Sequence, residues 1–176
     1  MRNQFLSRGR EMKGHMRNYA DEVKRRAQDL MEQITKDRRA LHRFPEIGTD
    51  LPQTSAYIKK RLDEMGIEWK DCGGVLPEQM TKDFIEAGFP RMEKETGVTA
   101  VIGHGSPCIL LRADMDALPV REDNDLEFKS CNENGHMCGH DSHAAMLLGA
   151  AQILKDMEDC LAGTVKLMFQ PGEETG

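Results

Sequence analysis

Two neighbouring stretches decide the fold: Ser142-His143-Ala144-Ala145-Met146-Leu147-Leu148 and, after a break, Thr164-Val165-Lys166-Leu167-Met168-Phe169. The first runs on to Met157 and is apolar on most sides, through Ala150, Ala151, Ile153 and Leu154. A helix of that kind offers little polar surface to water, so it predicts a helix sandwiched against a sheet. The second is a short apolar run stopped by Pro171, and it predicts a central strand. Two further runs precede the helix, Val98 to Ile102 and Cys108 to Leu111. Between them, Gly103-His104-Gly105-Ser106-Pro107 is turn chemistry, which predicts a hairpin. Towards the N-terminus, Arg10 to Leu41 places Val23, Ala27, Leu30 and Ile34 at roughly helical spacing, predicting a long amphipathic helix ended by Pro45 and Gly48. A second helix is expected from Gln53 to Met65, a short strand from Ile67 to Lys70, and a short helix from Glu78 to Ala87. Strands alternating with helices give an α/β class: a layered mixed sheet flanked by helices.

The 176 residues suit one domain with a sizeable core. Residues 18–176 are assigned to it, with 1–17 as a basic, flexible lead-in that lacks the apolar run of a signal peptide. Net charge is −6 and the basic residues are dispersed, which excludes a nucleic-acid stripe. Apolar stretches break within about ten residues, too short for a membrane-spanning helix. Five cysteines in no paired pattern suggest reduced thiols and a cytoplasmic location.

Three segments carry chemistry. Cys138 and His140 lie two apart before a helix, where alternate side chains of an extended loop reach one ion, with His136, Asp141 and His143 crowded around them. The plain alternative is a buried thiol beside a helix-capping histidine. Glu173-Glu174 follows a strand, so that one carboxylate is placed to bind metal and its neighbour to act as general base. An isolated pair of this kind is more often a solvated turn. Asp114 and Asp116 follow another strand and are placed to orient a ligand histidine from behind, or simply to form a turn before Pro119. His42, near Pro45, reads as structural or surface, and the 12 methionines as core filling.

Taken together, Arg38 to Gly48, Leu111-Arg112-Ala113-Asp114-Met115-Asp116-Ala117-Leu118-Pro119, His136 to Met146 and Phe169-Gln170-Pro171-Gly172-Glu173-Glu174 resemble, in order and spacing, the aminoacylase/carboxypeptidase family of dinuclear metallohydrolases, in its amidohydrolase branch. The resemblance implies Cys138, His140 and Glu174 as metal ligands and Glu173 as the general base. It implies Asp116 as the catalytic-site acid behind a ligand histidine, with His136, Asp141 and His143 in support. It also implies cleavage of the amide of an N-acyl amino acid or small peptide by metal-activated water. The full-length family uses two divalent ions (zinc, manganese, cobalt or nickel) and forms homo-oligomers through a lid domain.

The chain departs from that pattern in three ways. It is about half the family's length, without the lid domain and two further ligand histidines. Residues 74–96 resemble an insertion, and Leu51 stands near a position where a glutamate is usual. The expectations are therefore at most one bound ion, little hydrolysis by this chain alone and an unpaired sheet edge. Two other classes stay open: a cysteine hydrolase using Cys138 with His140 or His143, and a non-catalytic remnant or single-metal-binding module.

Overall fold

The structure, a computed structural model, describes residues 19–175; the expected lead-in over 1–17 and the start of the first helix lie outside these residues. Four strands form one mixed sheet: β1 (Trp69–Cys72), β2 (Gly97–Gly103), β3 (Cys108–Asp114) and β4 (Thr164–Gln170). Their spatial order is β1-β2-β4-β3. β2 runs antiparallel to both β1 and β4, whereas β3 and β4 are parallel. The helices are α1 (19–29), α2 (Met31–Arg43), α3 (Pro52–Glu64), α4 (Glu78–Glu86) and α5 (His140–Asp156).

The expected hairpin between β2 and β3 does not form. A parallel pair needs a crossover connection, and here α5 carries the chain from β3 back to start β4, which lies between β2 and β3. The residues expected to make a hairpin turn bond to the start of β4 instead. Thr164 N donates to Pro107 O at 2.9 Å and Thr164 Oγ1 donates to Gly105 O at 2.8 Å. β3 is consequently an edge among the described residues, with Ile109 and Leu110 more than half exposed (53% and 57%). That agrees with the open edge expected from the sequence.

The period of two decides which strand residues are buried. Val98, Ala100 and Ile102 of β2 and Val165, Leu167 and Phe169 of β4 are buried, while Val101 and Lys166 between them are exposed. α3 and α5 pack against the sheet, adding Ile58, Leu62, Ala144, Leu148 and Ala151 to the core. α2 crosses α5 closely at Gly149, where a Cβ would meet Ile34 Cδ1 at 2.6 Å. The long first helix is broken at Leu30, although Leu30 N donates to Arg26 O and Ile34 N to Leu30 O across the break. The first short strand starts two residues later than expected, because Ile67 is spent closing α3 through a bond from its N–H to Leu62 O.

Residues 74–96 make a small lobe of α4 and the Val75–Lys94 bridge. It is rooted on buried Met92, whose Sδ accepts from Thr49 N at 3.2 Å. Leu51, at the position where a glutamate is usual, is fully buried in the core.

Candidate metal centre

The parallel register ends at Asp114 opposite Gln170, and Met115 N still donates to Gln170 O at 3.0 Å. The two strands therefore deliver the loops carrying Asp116 and Glu173-Glu174 to the same point. This is the carboxyl end of parallel strands, where open α/β sheets place their sites. α5 begins at that point with His140, after Gly139 turns the chain at φ +91°, a left-handed conformation that glycine adopts without strain.

Asp116 ties these segments together and is 1% exposed. Its Oδ1 lies 3.2 Å from His140 Nδ1, which is also 3.0 Å from the Asp116 carbonyl oxygen, and its Oδ2 accepts from Glu174 N at 2.9 Å. With Nδ1 so engaged, the other ring nitrogen, Nε2, is turned towards carboxylates. It lies 3.6 Å from Glu173 Oε2, 3.7 Å from Glu174 Oε1 and 3.7 Å from Asp114 Oδ1. These separations match the roughly 3.3–3.8 Å between ligand atoms of a four-coordinate ion with bonds of about 2.0–2.3 Å. Donor atoms of Cys138, His140 and Glu174 all lie within 4.8 Å of one another. The five site residues expected from the sequence thus occupy one cluster.

Whether that cluster suits a cation is tested by its unsatisfied groups. Glu174 Oε1 is buried and has no hydrogen-bond partner. A buried carboxylate oxygen without a donor is unfavourable unless a positive charge completes it. Thiol, imidazole and carboxylate are a donor set that zinc-like ions accept. The residues fit the ion.

The same geometry weakens the cysteine-hydrolase reading. The hydrogen bond between Cys138 and the Glu174 carboxylate pushes the thiol above its ordinary range, and the neighbouring Glu173 charge adds to this. A nucleophilic cysteine needs the opposite shift.

The supporting residues separate. His143 stays at the centre: its Nδ1 donates to Asp114 Oδ1 at 2.5 Å, and its ring stacks on that of His140. Burial opposes the charge on Asp114, but the His143 hydrogen bond and the nearby His140 and Arg112 outweigh it and hold the carboxyl below its usual range. Asp141 turns away from the centre, and its Oδ2 takes Arg38 Nε at 2.8 Å and His42 Nδ1 at 2.7 Å. His42 Nε2 in turn faces Glu122 Oε1 at 2.9 Å. His42 is therefore structural and not on the surface. His136 is buried with both ring nitrogens unpartnered, and burial pushes its pKa down to about 4, so it is neutral at pH 7.

Asp114 as a further ligand candidate, and Arg38 and Glu122 as members of a buried ion-pair chain, were missed by sequence reasoning. Asp114 had a signal, standing one turn-residue from Asp116 in the same motif. Arg38 and Glu122 had none, because their partners Asp141 and His42 stand about 100 and 80 residues away in the chain and meet them only through the fold.

Glu122 yields a pH prediction. Burial pushes its carboxyl up, but His42, the Ser130 N–H and Asn124 more than offset this and bring it from 4.5 to about 2. A carboxyl depressed in the folded state stabilises above its unfolded pKa and loses that contribution as pH falls through the folded value. Thermal stability should therefore decline from about 4.5 down to about 2. Glu122→Gln should flatten that decline in a calorimetric pH series; an unchanged slope would contradict the assignment.

Comparison with known proteins places these observations in a class. Residues 110–176 match the profile of Peptidase family M20/M25/M40. The chain is 39% identical over 162 residues to an IAA-amino acid hydrolase ILR1-like 5 of Arabidopsis thaliana, covering 91% of this chain and 32% of that protein. It is 41% identical over 150 residues to an N-acetyl-L-cysteine deacetylase of Bacillus subtilis (strain 168), covering 84% and 31%. Among solved structures, the YXEP protein of Bacillus subtilis, a dinuclear metal binding peptidase, superposes with a TM-score of 0.67 at 33% identity, covering 84% of this chain and 37% of that one. An aminobenzoyl-glutamate utilization protein from Klebsiella pneumoniae superposes with a TM-score of 0.61 at 27% identity, covering 87% and 40%.

Residues 110–176 thus match this peptidase family, and the relatives named above are hydrolases or peptidases. The chain spans about a third of the length of the curated relatives it matches. No helix among the described residues is long and apolar enough to cross a membrane.

Proposed function

We propose that this chain carries part of the catalytic domain of a metal-dependent amidohydrolase that cleaves N-acyl amino acids or small peptides. The observation that carries the reading is the meeting of Cys138, His140 and Glu174 at one point, with Glu173 beside them and a buried Glu174 oxygen lacking any donor. The relatives' names support the substrate class, since an acyl group in amide linkage to an amino acid is common to them.

Cys138, His140 and Glu174 would hold the ion. When bound, a zinc, manganese, cobalt or nickel ion supplies positive charge that polarises the amide carbonyl and makes water more acidic. The chain's own groups do the rest. Asp116 fixes the His140 ring through Nδ1 and the Glu173-Glu174 turn through the Glu174 N–H, so ligand and base keep their spacing. Glu173, the more exposed of the two glutamates at 42% against 19%, takes the water proton and passes it to the departing amine.

A single-ion module without catalysis is the second reading. It is favoured by the one free nitrogen of His140, around which all these donors are arranged. Three ligands close no two-ion centre, so the 176 residues by themselves should hold at most one ion and turn over little. We further propose a cytoplasmic location, consistent with the absence of disulfides among the five cysteines, and homo-oligomeric assembly of the whole protein.

The protein should hydrolyse N-acetyl amino acids when metal is supplied and stop when it is chelated. Glu173→Gln should retain the ion and lose turnover by roughly 10²–10⁴-fold. Undiminished turnover in that variant, or activity surviving chelation, would overturn the reading.

A further inference from the structure

Residues 74–96, the segment that resembles an insertion, reach the candidate metal centre through one residue, Thr49. Every polar atom of Thr49 is held by the part of the chain that returns from the lobe. Its N–H donates to Met92 Sδ at 3.2 Å and its hydroxyl donates to Lys94 O at 2.9 Å. Its carbonyl accepts from Thr96 N at 3.0 Å and from Thr96 Oγ1 at 3.1 Å. The hold extends into α4, where Thr81 Oγ1 donates to Met92 O at 2.9 Å. Thr49 and Met92 are both buried, so breaking one of these bonds leaves a polar group unsatisfied away from water.

A threonine side chain turns about a single stiff torsion, so the bond from Oγ1 to Lys94 also fixes where the methyl goes. The methyl meets Gly172. A Cβ on Gly172 would stand only 2.8 Å from Thr49 Cγ2, so the Gly172 backbone lies directly against it. Gly172, at φ +75°, opens the turn that carries Glu173 and Glu174, and its carbonyl accepts the Thr175 hydroxyl at 2.8 Å. The bond from Glu174 N to Asp116 Oδ2 ties the same turn to the centre. Close-packed contacts of this kind transmit a displacement at one end to the other.

We propose that Thr49 is a positioning residue for the Glu173-Glu174 turn. The 74–96 lobe fixes Thr49 through its polar atoms, and the Thr49 methyl fixes the turn through Gly172. The inference rests on reading Glu174 as a metal ligand, and it gives the lobe a task in that centre.

The test titrates the protein and three variants with cobalt(II), followed by visible absorption, with calorimetry to measure Tm. Thr49→Ser removes the methyl and keeps the hydroxyl; Thr49→Val keeps the methyl and removes the hydroxyl. Ile102→Val removes one carbon from a buried residue of β2 that pairs with Val165, near the start of β4 and away from the centre. Thr49→Ser should weaken cobalt by ~10-fold or more and change the band shape, as losing a residue that supports a ligand does. Thr49→Val should melt lower than the parent, having lost the Lys94 bond, yet bind cobalt as the parent does. Ile102→Val should melt lower, by an amount similar to Thr49→Ser, with cobalt affinity unchanged.

If Thr49→Ser binds cobalt as the parent does, or Thr49→Val loses as much as Thr49→Ser, the methyl does not set the turn. The inference then falls and the metal-centre reading stands. The same follows if Ile102→Val weakens cobalt as much as Thr49→Ser, since the loss is then one of general stability. If the parent binds no cobalt, or Glu174→Gln binds it with unchanged affinity, the reading itself fails and the inference with it.

Discussion

Replacing His140 with alanine is expected to abolish metal binding by this chain, with affinity for zinc and cobalt falling by more than ~100-fold. His140 Nε2 is the atom about which Glu173, Glu174 and Asp114 are arranged at 3.6 to 3.7 Å, and the ring's donor atom lies close to those of Cys138 and Glu174. Removing it leaves Cys138 and Glu174 with no nitrogen donor between them, since His143 Nδ1 is bonded to Asp114 Oδ1. The loss should exceed that of Asp116→Asn, which keeps the ligand but weakens its orientation and should cost ~10–100-fold. Isothermal titration of the folded variants with zinc checks the ranking. Equal affinities for parent and His140→Ala would show that ions bind elsewhere.

The second large effect is on stability. His42 is 5% exposed and stands between Asp141 and Glu122, each essentially buried, with Arg38 closing the chain of charges at Asp141. His42→Ala removes one partner from two buried carboxylates, and breaking such a pair costs about 3 kcal/mol or more. For a domain of this size that lowers Tm by roughly 6–12 °C. Lys60→Ala is the control: Lys60 and Glu64 are 72% and 46% exposed and 3.8 Å apart, so losing that pair should cost less than about 0.5 kcal/mol. Calorimetry of the three proteins should separate them clearly. A Tm for His42→Ala within a degree or so of the parent would mean that the ion-pair chain contributes nothing net.

The segments legible in the sequence were those with strong local signals. α3, α4, α5 and β4 lie within a residue or two of their expected spans, because apolar periodicity and flanking Gly or Pro mark them. Strand pairing was not legible. Gly103 to Pro107 looks like a hairpin turn at short range, and only the return of the chain through α5 puts β4 against β2.

The site divides in the same way. Cys138, His140, Asp116, Glu173 and Glu174 sit in compact motifs at the ends of adjacent parallel strands, so local sequence carried them to one place. The chain Arg38–Asp141–His42–Glu122 joins residues 80 and 99 positions apart, and nothing in either segment names the other. Asp114 belonged to a motif already singled out, yet its approach to His143 depends on α5 lying across the end of β3.

The most direct test of the central claim, that these residues form one metal centre, is a crystal structure of the protein grown with zinc, using anomalous scattering at the zinc edge. The account expects a single strong peak bonded to Cys138 Sγ, His140 Nε2 and a Glu174 carboxylate oxygen. A peak away from His140, or none at full zinc loading, would contradict it.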